Sequence, residues 1–240
     1  MAETVASQPP TVLSAADSPS AAYTEPPLLT EDDIVFFSAR GKGVREFSNL
    51  YELDVPIKYK GRTFAHTEAG YQSEYRCEEE FRDMFALPDG MFATLEGAEH
   101  VYNKPEEAAR ARKSWGSVKG RNPMSGIVAK MAVKPDRAKK LGIKLRCSKD
   151  DPQDLDEIKR IFKELLYLKF TRNPKLGRML LETGDKILVE WDKGAGRQTL
   201  AGKPPLFSGI LKDGKILGQN LMGRLLMRTR KRLVRENATR

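Results

Sequence analysis

Apolar residues change period several times along the chain, and each change predicts an element. The stretch DIVFFSA over 33–39 has the apolar content of a first strand, and ARGKGVREF after it reads as a glycine-bearing turn or loop. Phe47-Ser48-Asn49-Leu50 leads into VPIKYKGRTF, where Lys60-Gly61 marks a hairpin turn between two short strands. From residue 67 the spacing becomes helical, with Thr67 as N-cap and Tyr71, Tyr75, Phe81 and Phe85 near one face. A further helix is expected from Pro105-Glu106-Glu107 to about Trp115, and another over IVAKMAV beyond GSVKGRNPMSG. Leu155, Ile158, Phe162, Leu165 or Leu166, and Phe170 mark a long amphipathic helix. Together these predict one α+β domain, largely helical, with a small, mostly antiparallel sheet built from the first third of the chain. The helices of Glu68, of 155–170 and of the C-terminus are expected to pack around that sheet.

Within this pattern Glu68 is the residue with chemical potential. It stands three, four and seven positions before Tyr71, Gln72 and Tyr75, which places its carboxylate at the head of the aromatic face rather than among Glu78, Glu79 and Glu80. Burial against aromatic rings raises a carboxylate pKa, and the positive end of a helix lowers it. In either state such a group can accept a proton, orient a water or face a developing cation. Acids are also common in a first helical turn for electrostatic reasons alone.

Composition narrows the classes. The 240 residues suffice for one generous domain or two small ones, and a hydrophobic fraction of 40% is ample for a core. Two cysteines, Cys77 and Cys147, and two histidines, His66 and His100, provide neither a disulfide framework nor zinc spacing, so no metal or other cofactor is expected and the chain fits a reducing compartment. Residues 1–31 contain no Lys or Arg and many Ala, Ser, Thr and Pro, the composition of a disordered tail rather than a targeting signal. No window approaches the roughly 18 apolar residues of a membrane span, so a cytoplasmic or nuclear protein is expected.

Charge is uneven. Six acids and no base precede Ile34, which leaves +15 on the remainder of a chain whose net charge is +9. Basic residues concentrate over 110–146 and again over 224–240, a field that favours a phosphorylated nucleotide, ADP-ribose or nucleic acid. Trp115, set among Arg110, Arg112, Lys113, Lys119 and Arg121, reads first as a packing anchor, and the same set would suit base stacking on a cationic surface.

Two longer segments carry a resemblance. The first runs over 35–76 and contains Phe47-Ser48-Asn49 and Thr67-Glu68-x-x-Tyr71-Gln72; the second contains Lys169-Phe170, Asn173-Pro174, a Leu-Leu-x-Thr-Gly-Asp run, and Gly218-x-Asn220-x-x-Gly223 ending in Leu226-Met227 and Arg230. PDRAKKLGIKL also fits the pattern. In order and spacing over about 35–230 these resemble the YbiA-like family, also called NADAR, whose members include N-glycosidases acting on riboflavin-pathway intermediates and enzymes that process ADP-ribose attached to bases. The resemblance implies a domain over 32–235 with an insertion at about 87–134, followed by a short basic tail over 236–240.

It also implies roles. Glu68 becomes the catalytic carboxylate, Tyr71 and Gln72 shape the pocket, Phe47, Ser48 and Asn49 contact substrate, and Arg40, Lys42 and Arg45 are candidates for binding a phosphate. Asn220 fixes a loop at the substrate site, and Phe207 supplies a stacking surface. Two departures stand out. The family's Asp-Trp pair before the long helix is replaced by Gln153-Asp154, and its Asn-Asp-x-x-Trp-Gly stretch has only KPPLFSG as counterpart, so Asp154 and Asp192 are the candidates to replace the missing acid. Three readings follow: an N-glycosidase acting on a ribosyl phosphate or ADP-ribose-type compound, a non-catalytic nucleotide-binding module, and a nucleic-acid binder using the insertion and the last helix.

Overall fold

The computed structural model describes residues 28–39, 41–116, 125–147 and 154–239, with the side chains of 114–116 excepted. The chain opens with a 3-10 turn at Glu31–Asp33 and strand β1, Ile34–Phe37; strands β2, Ile57–Tyr59, and β3, Arg62–Phe64, precede helix α1, Thr67–Tyr71. Helices α2, Ala98–Val101, α3, Pro105–Gly116, α4, Gly126–Ala132, and α5, Pro135–Lys140, follow. The long α6, Leu155–Arg172, leads through α7, Pro174–Leu181, to strand β4, Ile187–Glu190. Helix α8, Ala195–Leu200, hairpin β5, Ile210–Lys212, with β6, Lys215–Leu217, and the terminal helix α9, Leu221–Ala238, complete the fold.

The α+β class and the dominance of helix agree with the sequence pattern, but the sheet is different. Three separate two-stranded pairings occur, and only β2–β3 lies wholly in the first third of the chain. Strand β1 pairs in parallel with the distant β4, Ile34 opposite Ile187 and Phe37 opposite Glu190. Both strands bury side chains on two faces: Phe37 and Leu188 join the main core, while Ile34, Phe36 and Val189 form a second cluster. A strand buried on both faces reads as an apolar run and carries no information about its partner. The Lys60-Gly61 turn is as expected, with positive φ at both residues (46° and 84°) matching the twist of a tight hairpin. The β5–β6 turn repeats that geometry at Asp213-Gly214.

The segment around Glu68 is not one helix. His66, not Thr67, is the N-cap of α1: its Nδ1 accepts from the Ala69 N–H at 3.1 Å. The Thr67 hydroxyl is committed elsewhere, 3.0 Å from Asn49 Oδ1. After five residues the backbone widens into a π-helical turn over Gln72–Arg76, breaks at Cys77, and continues as 3-10 helix over Glu79–Phe85. The wider turn keeps Tyr71 and Tyr75 stacked, centroids 5.4 Å apart and planes 11° from parallel. It also buries Glu74, whose Oε2 meets Lys60 at 2.8 Å and Arg82 at 3.3 Å. Phe85 reaches the core as expected, and Phe81 is only partly buried.

Helix α6 is the axis of the core. Ile158, Ile161, Phe162, Leu165, Leu166 and Phe170 are all buried, whereas Leu155, expected on the same face, is 40% exposed at the first turn. Helix α9 packs alongside through Leu221, Leu225, Leu226 and Leu233. Buried Arg230 on α9 donates to Thr183 Oγ1 at 2.6 Å and to the Lys186 carbonyl at 2.9 Å, which accounts structurally for the Thr-Gly-Asp run. Ordered structure continues a few residues beyond 32–235 at both ends. The Leu29 N–H donates to the Gly214 carbonyl, attaching part of the supposed tail to the β5–β6 turn, and α9 continues through 236–238. Residues 1–27 and 240 lie outside the described residues.

Within the 87–134 segment, helix α4 forms a wall of the domain. Helix α4 packs on α1 so closely that a Cβ on Gly126 would stand 2.8 Å from the Leu50 Cα and 3.2 Å from the Glu68 Cβ. Trp115, Lys119 and Arg121 fall outside the residues whose side chains are described. Of the other cations there, Arg112 approaches Glu99 at 3.7 Å and Arg110 reaches the Glu106 carbonyl of its own helix.

Candidate active site

Two cavities, of about 290 and 680 Å³, adjoin where α1, α4, β4 and the 203–209 loop converge; Asn49, Glu68, Lys130, Glu190 and Phe207 line both. Glu68 is at their centre, only 6% exposed. Its N–H donates to the Asn49 carbonyl at 3.1 Å, and its Oε1 accepts from the Gln72 amide at 2.7 Å. No other side chain among the described residues bonds this carboxylate, so the acid is oriented by one neutral donor and kept at the cavity surface.

The loop preceding α1 is pinned from below. Lys169, wholly buried, donates from Nζ to the Ser48 carbonyl at 2.8 Å, and burial lowers its pKa to about 7. Asn49 Oδ1 accepts from Thr67, and Asn49 Nδ2 lies 3.5 Å from Met222 Sδ. Ser48 lines the larger cavity and Asn49 both.

An aromatic wall forms the other side. Tyr71 stacks on Phe162 with centroids 4.4 Å apart, and Phe207 meets both rings edge-on at 6.2 and 5.9 Å. Tyr71 and Phe162 are buried in their mutual stack, so the partly exposed ring of Phe207, backed by them, is the aromatic surface this wall offers a ligand. Burial, helped by the charge of Glu68, pushes the Tyr71 phenol upward, so that this ring stays neutral.

Several expected residues are elsewhere. Asp154 is the exposed N-cap of α6, accepting from the Asp156 and Glu157 N–H groups, and lines neither cavity. Phe47 is a core residue, edge-on to Phe37 and Phe170. Lys42 pairs with Glu31 at 2.6 Å and sits over the Phe36 ring, and Arg45 also lines neither cavity. Arg40 lies outside the described residues. Asn220 is buried behind the site, donating to the Leu188 carbonyl at 2.8 Å and accepting from the Glu190 N–H at 3.1 Å, so it fixes β4 rather than lining the cavity. Asp192 does line the larger cavity, with Oδ1 accepting from the Gly194 N–H at 2.7 Å.

The structure adds residues that periodicity did not single out. Glu190 ends β4 between Glu68 and Asp192; burial first, then those two neighbouring charges, raise its pKa to about 7 against the opposing influence of Lys130. Lys130 enters from α4, and Arg76 and Lys134 stand at the smaller cavity. Trp191 closes the larger one and presses on Gly41, where a Cβ would come within 2.3 Å of the indole. The signals available in sequence were a terminal acid in ILVE and a lone lysine in IVAKMAV, neither distinguishable from a surface charge without knowing that β4 and α4 meet α1. Among the described residues no group of three or more His, Cys, Asp or Glu could hold a metal ion, and no helix is long and apolar enough to cross a membrane.

Fold and cavity together define an α+β domain whose pocket combines clustered carboxylates, an aromatic wall and a cationic rim. Residues 35–234 match the family model described as the NADAR domain, and the chain belongs to this YbiA-like family. Among solved structures, the NMR structure of the E. coli protein YbiA is similar, with 19% identity and a TM-score of 0.46 over 89% of this chain and 92% of that one. No protein of curated function matches the chain.

Proposed function

We propose that the cavity cleaves an N-glycosidic bond in a ribosyl phosphate or ADP-ribose-type compound, the N-glycosidase-type chemistry associated with the family. The observation that carries this reading is Glu68, buried and oriented by Gln72 at the edge of the Tyr71–Phe162–Phe207 wall. The partly exposed Phe207 ring takes the base, and Arg76, Lys130 and Lys134 meet the phosphate. As the C–N bond breaks, its electron pair leaves with the base and positive charge develops on the ribose, which the Glu68 carboxylate stabilises. Glu190, protonated to a large extent at neutral pH, gives its proton to the departing nitrogen. Water then adds to the anomeric carbon and surrenders a proton to Glu68. We place this chemistry in the cytoplasm or nucleus, consistent with two free cysteines.

The test is a chromatographic assay of wild type beside Glu68→Gln, run against riboflavin-pathway ribosyl phosphates, NAD, ADP-ribose and ADP-ribosylated guanine nucleotides. Release of free base by wild type and its loss in Glu68→Gln, with ligand affinity retained within a few fold, is the expected result. Saturable binding without product in both proteins would instead make this a nucleotide-binding module.

A further inference from the structure

A groove of about 890 Å³ runs between α6, the end of α7 and α9, lined by none of the residues of the candidate active site. Its rim is cationic: Lys163 faces it from α6, and Arg228, Lys231 and Arg235 from α9, all four exposed. Among the described residues none of these four is held in an ion pair. The only carboxylates in the lining are Glu164 and Asp185. On α9 the three cations recur at intervals of three and four residues, steps of about 4.5–6 Å along the helix, a spacing suited to successive backbone phosphates of an extended strand.

Charge alone would suit any polyanion. A second feature selects among them. The Arg232 guanidinium lies 3.4 Å from the centroid of the Tyr167 ring, and Glu236 clamps the pair: one carboxylate oxygen accepts from Arg232 Nε at 2.9 Å and the other from the Tyr167 hydroxyl at 2.9 Å. The guanidinium is therefore a plane fixed by Tyr167 and Glu236 in the wall of the groove, its side chain 35% exposed. A flat, delocalised cation held rigidly is a platform for a nucleobase, whereas a polycarboxylate such as polyglutamate has no ring to place on it.

We propose that this groove binds single-stranded nucleic acid, with Lys163, Arg228, Lys231 and Arg235 on the phosphates and a base stacked on Arg232. The test is fluorescence anisotropy of the full chain with a labelled 15-nucleotide single-stranded DNA of mixed sequence, in parallel with an abasic strand of equal length and with polyglutamate. Four phosphate contacts give an expected slope of about −3 for log affinity against log salt. The doubly substituted Arg228→Glu, Lys231→Glu protein, altered only at exposed positions, should bind at least tenfold more weakly. The mixed-sequence strand should outbind the abasic strand about tenfold, and Arg232→Ala should remove that difference. Absence of binding at low salt, affinity unchanged by the double substitution, or equal binding of the abasic strand and polyglutamate would each overturn the proposal.

Discussion

Lys169 Nζ donates to the Ser48 carbonyl across 121 residues of chain, with no carboxylate among the described residues bonded to the amine. A buried amine pays for its desolvation with stability, so its presence beneath the loop is a cost that loop placement offsets. In Lys169→Met the apolar side chain fills the same volume while the Ser48 carbonyl loses its donor. The two changes oppose one another, and the melting temperature should move by only a few degrees. Turnover should fall about tenfold or more, because Ser48 and Asn49 lose their fixed position at the cavity. Thermal melting compared with the base-release rate checks this; a large fall in stability with unchanged turnover of the remaining folded protein would refute it.

Glu190 makes the expected pH dependence specific. With its pKa raised to about 7, the protonated, proton-donating form is depleted as pH rises through that value. The rate should therefore decline on the alkaline side of about pH 7. Glu190→Gln should be slow at every pH and lack that limb, since an amide of the same shape neither titrates nor donates a proton at a useful rate. A kcat profile from pH 5 to 9 on both proteins decides the matter, and an unchanged limb in the variant removes Glu190 from the role.

His66 governs stability rather than chemistry. Burial lowers its pKa from 6.5 to about 4, so the folded chain keeps the ring neutral where the unfolded chain protonates it. Between pH 6.5 and 4 the unfolded state binds more protons, and stability falls as pH falls through that window. One such group contributes on the order of 3 kcal/mol. His66→Asn retains a good helix N-cap acceptor and removes the titration. Urea melts at pH 7 and pH 5 should show a smaller pH-dependent loss in the variant than in wild type.

What could be read from the sequence divides along physical lines. Some local signals held: the Lys60-Gly61 turn, the α6 stripe beyond Leu155 and the carboxylate of Glu68 beside Tyr71 depend on neighbours within a few residues, whereas the Thr67 cap and an unbroken helix after it did not form. Asp213-Gly214 carries the same hairpin signal. The parallel β1–β4 pairing was not legible, because Ile34 and Ile187 are brought together by tertiary packing alone. For the same reason Glu190, Lys130 and Trp191 were missed at the cavity. Motif membership does not separate substrate contact from structural work: Asn220 fixes β4 by hydrogen bonds and Phe47 packs in the core, while Asp154, a candidate only as a replacement acid, caps a helix.

Gly126 tests whether the 87–134 segment sets the active geometry. It opens α4 where that helix leans on α1, and an added Cβ would meet the Leu50 Cα at 2.8 Å, His66 Nδ1 at 3.1 Å and the Glu68 Cβ at 3.2 Å. Backbone and a buried capping imidazole cannot yield cheaply, so in Gly126→Ala the helix itself should shift outward, carrying Lys130 away from Glu68. Overpacking of this kind costs about 1–3 kcal/mol, partly offset by the better helix propensity of alanine. Ala132→Gly, at the other end of α4, is the control: it lowers stability by a comparable order through a cavity and backbone entropy without pushing on Glu68. The expected outcome is that both variants melt earlier in urea, while only Gly126→Ala loses turnover beyond its loss of folded protein. Equal turnover in the two folded variants would detach α4 from the chemistry and leave it a purely structural wall.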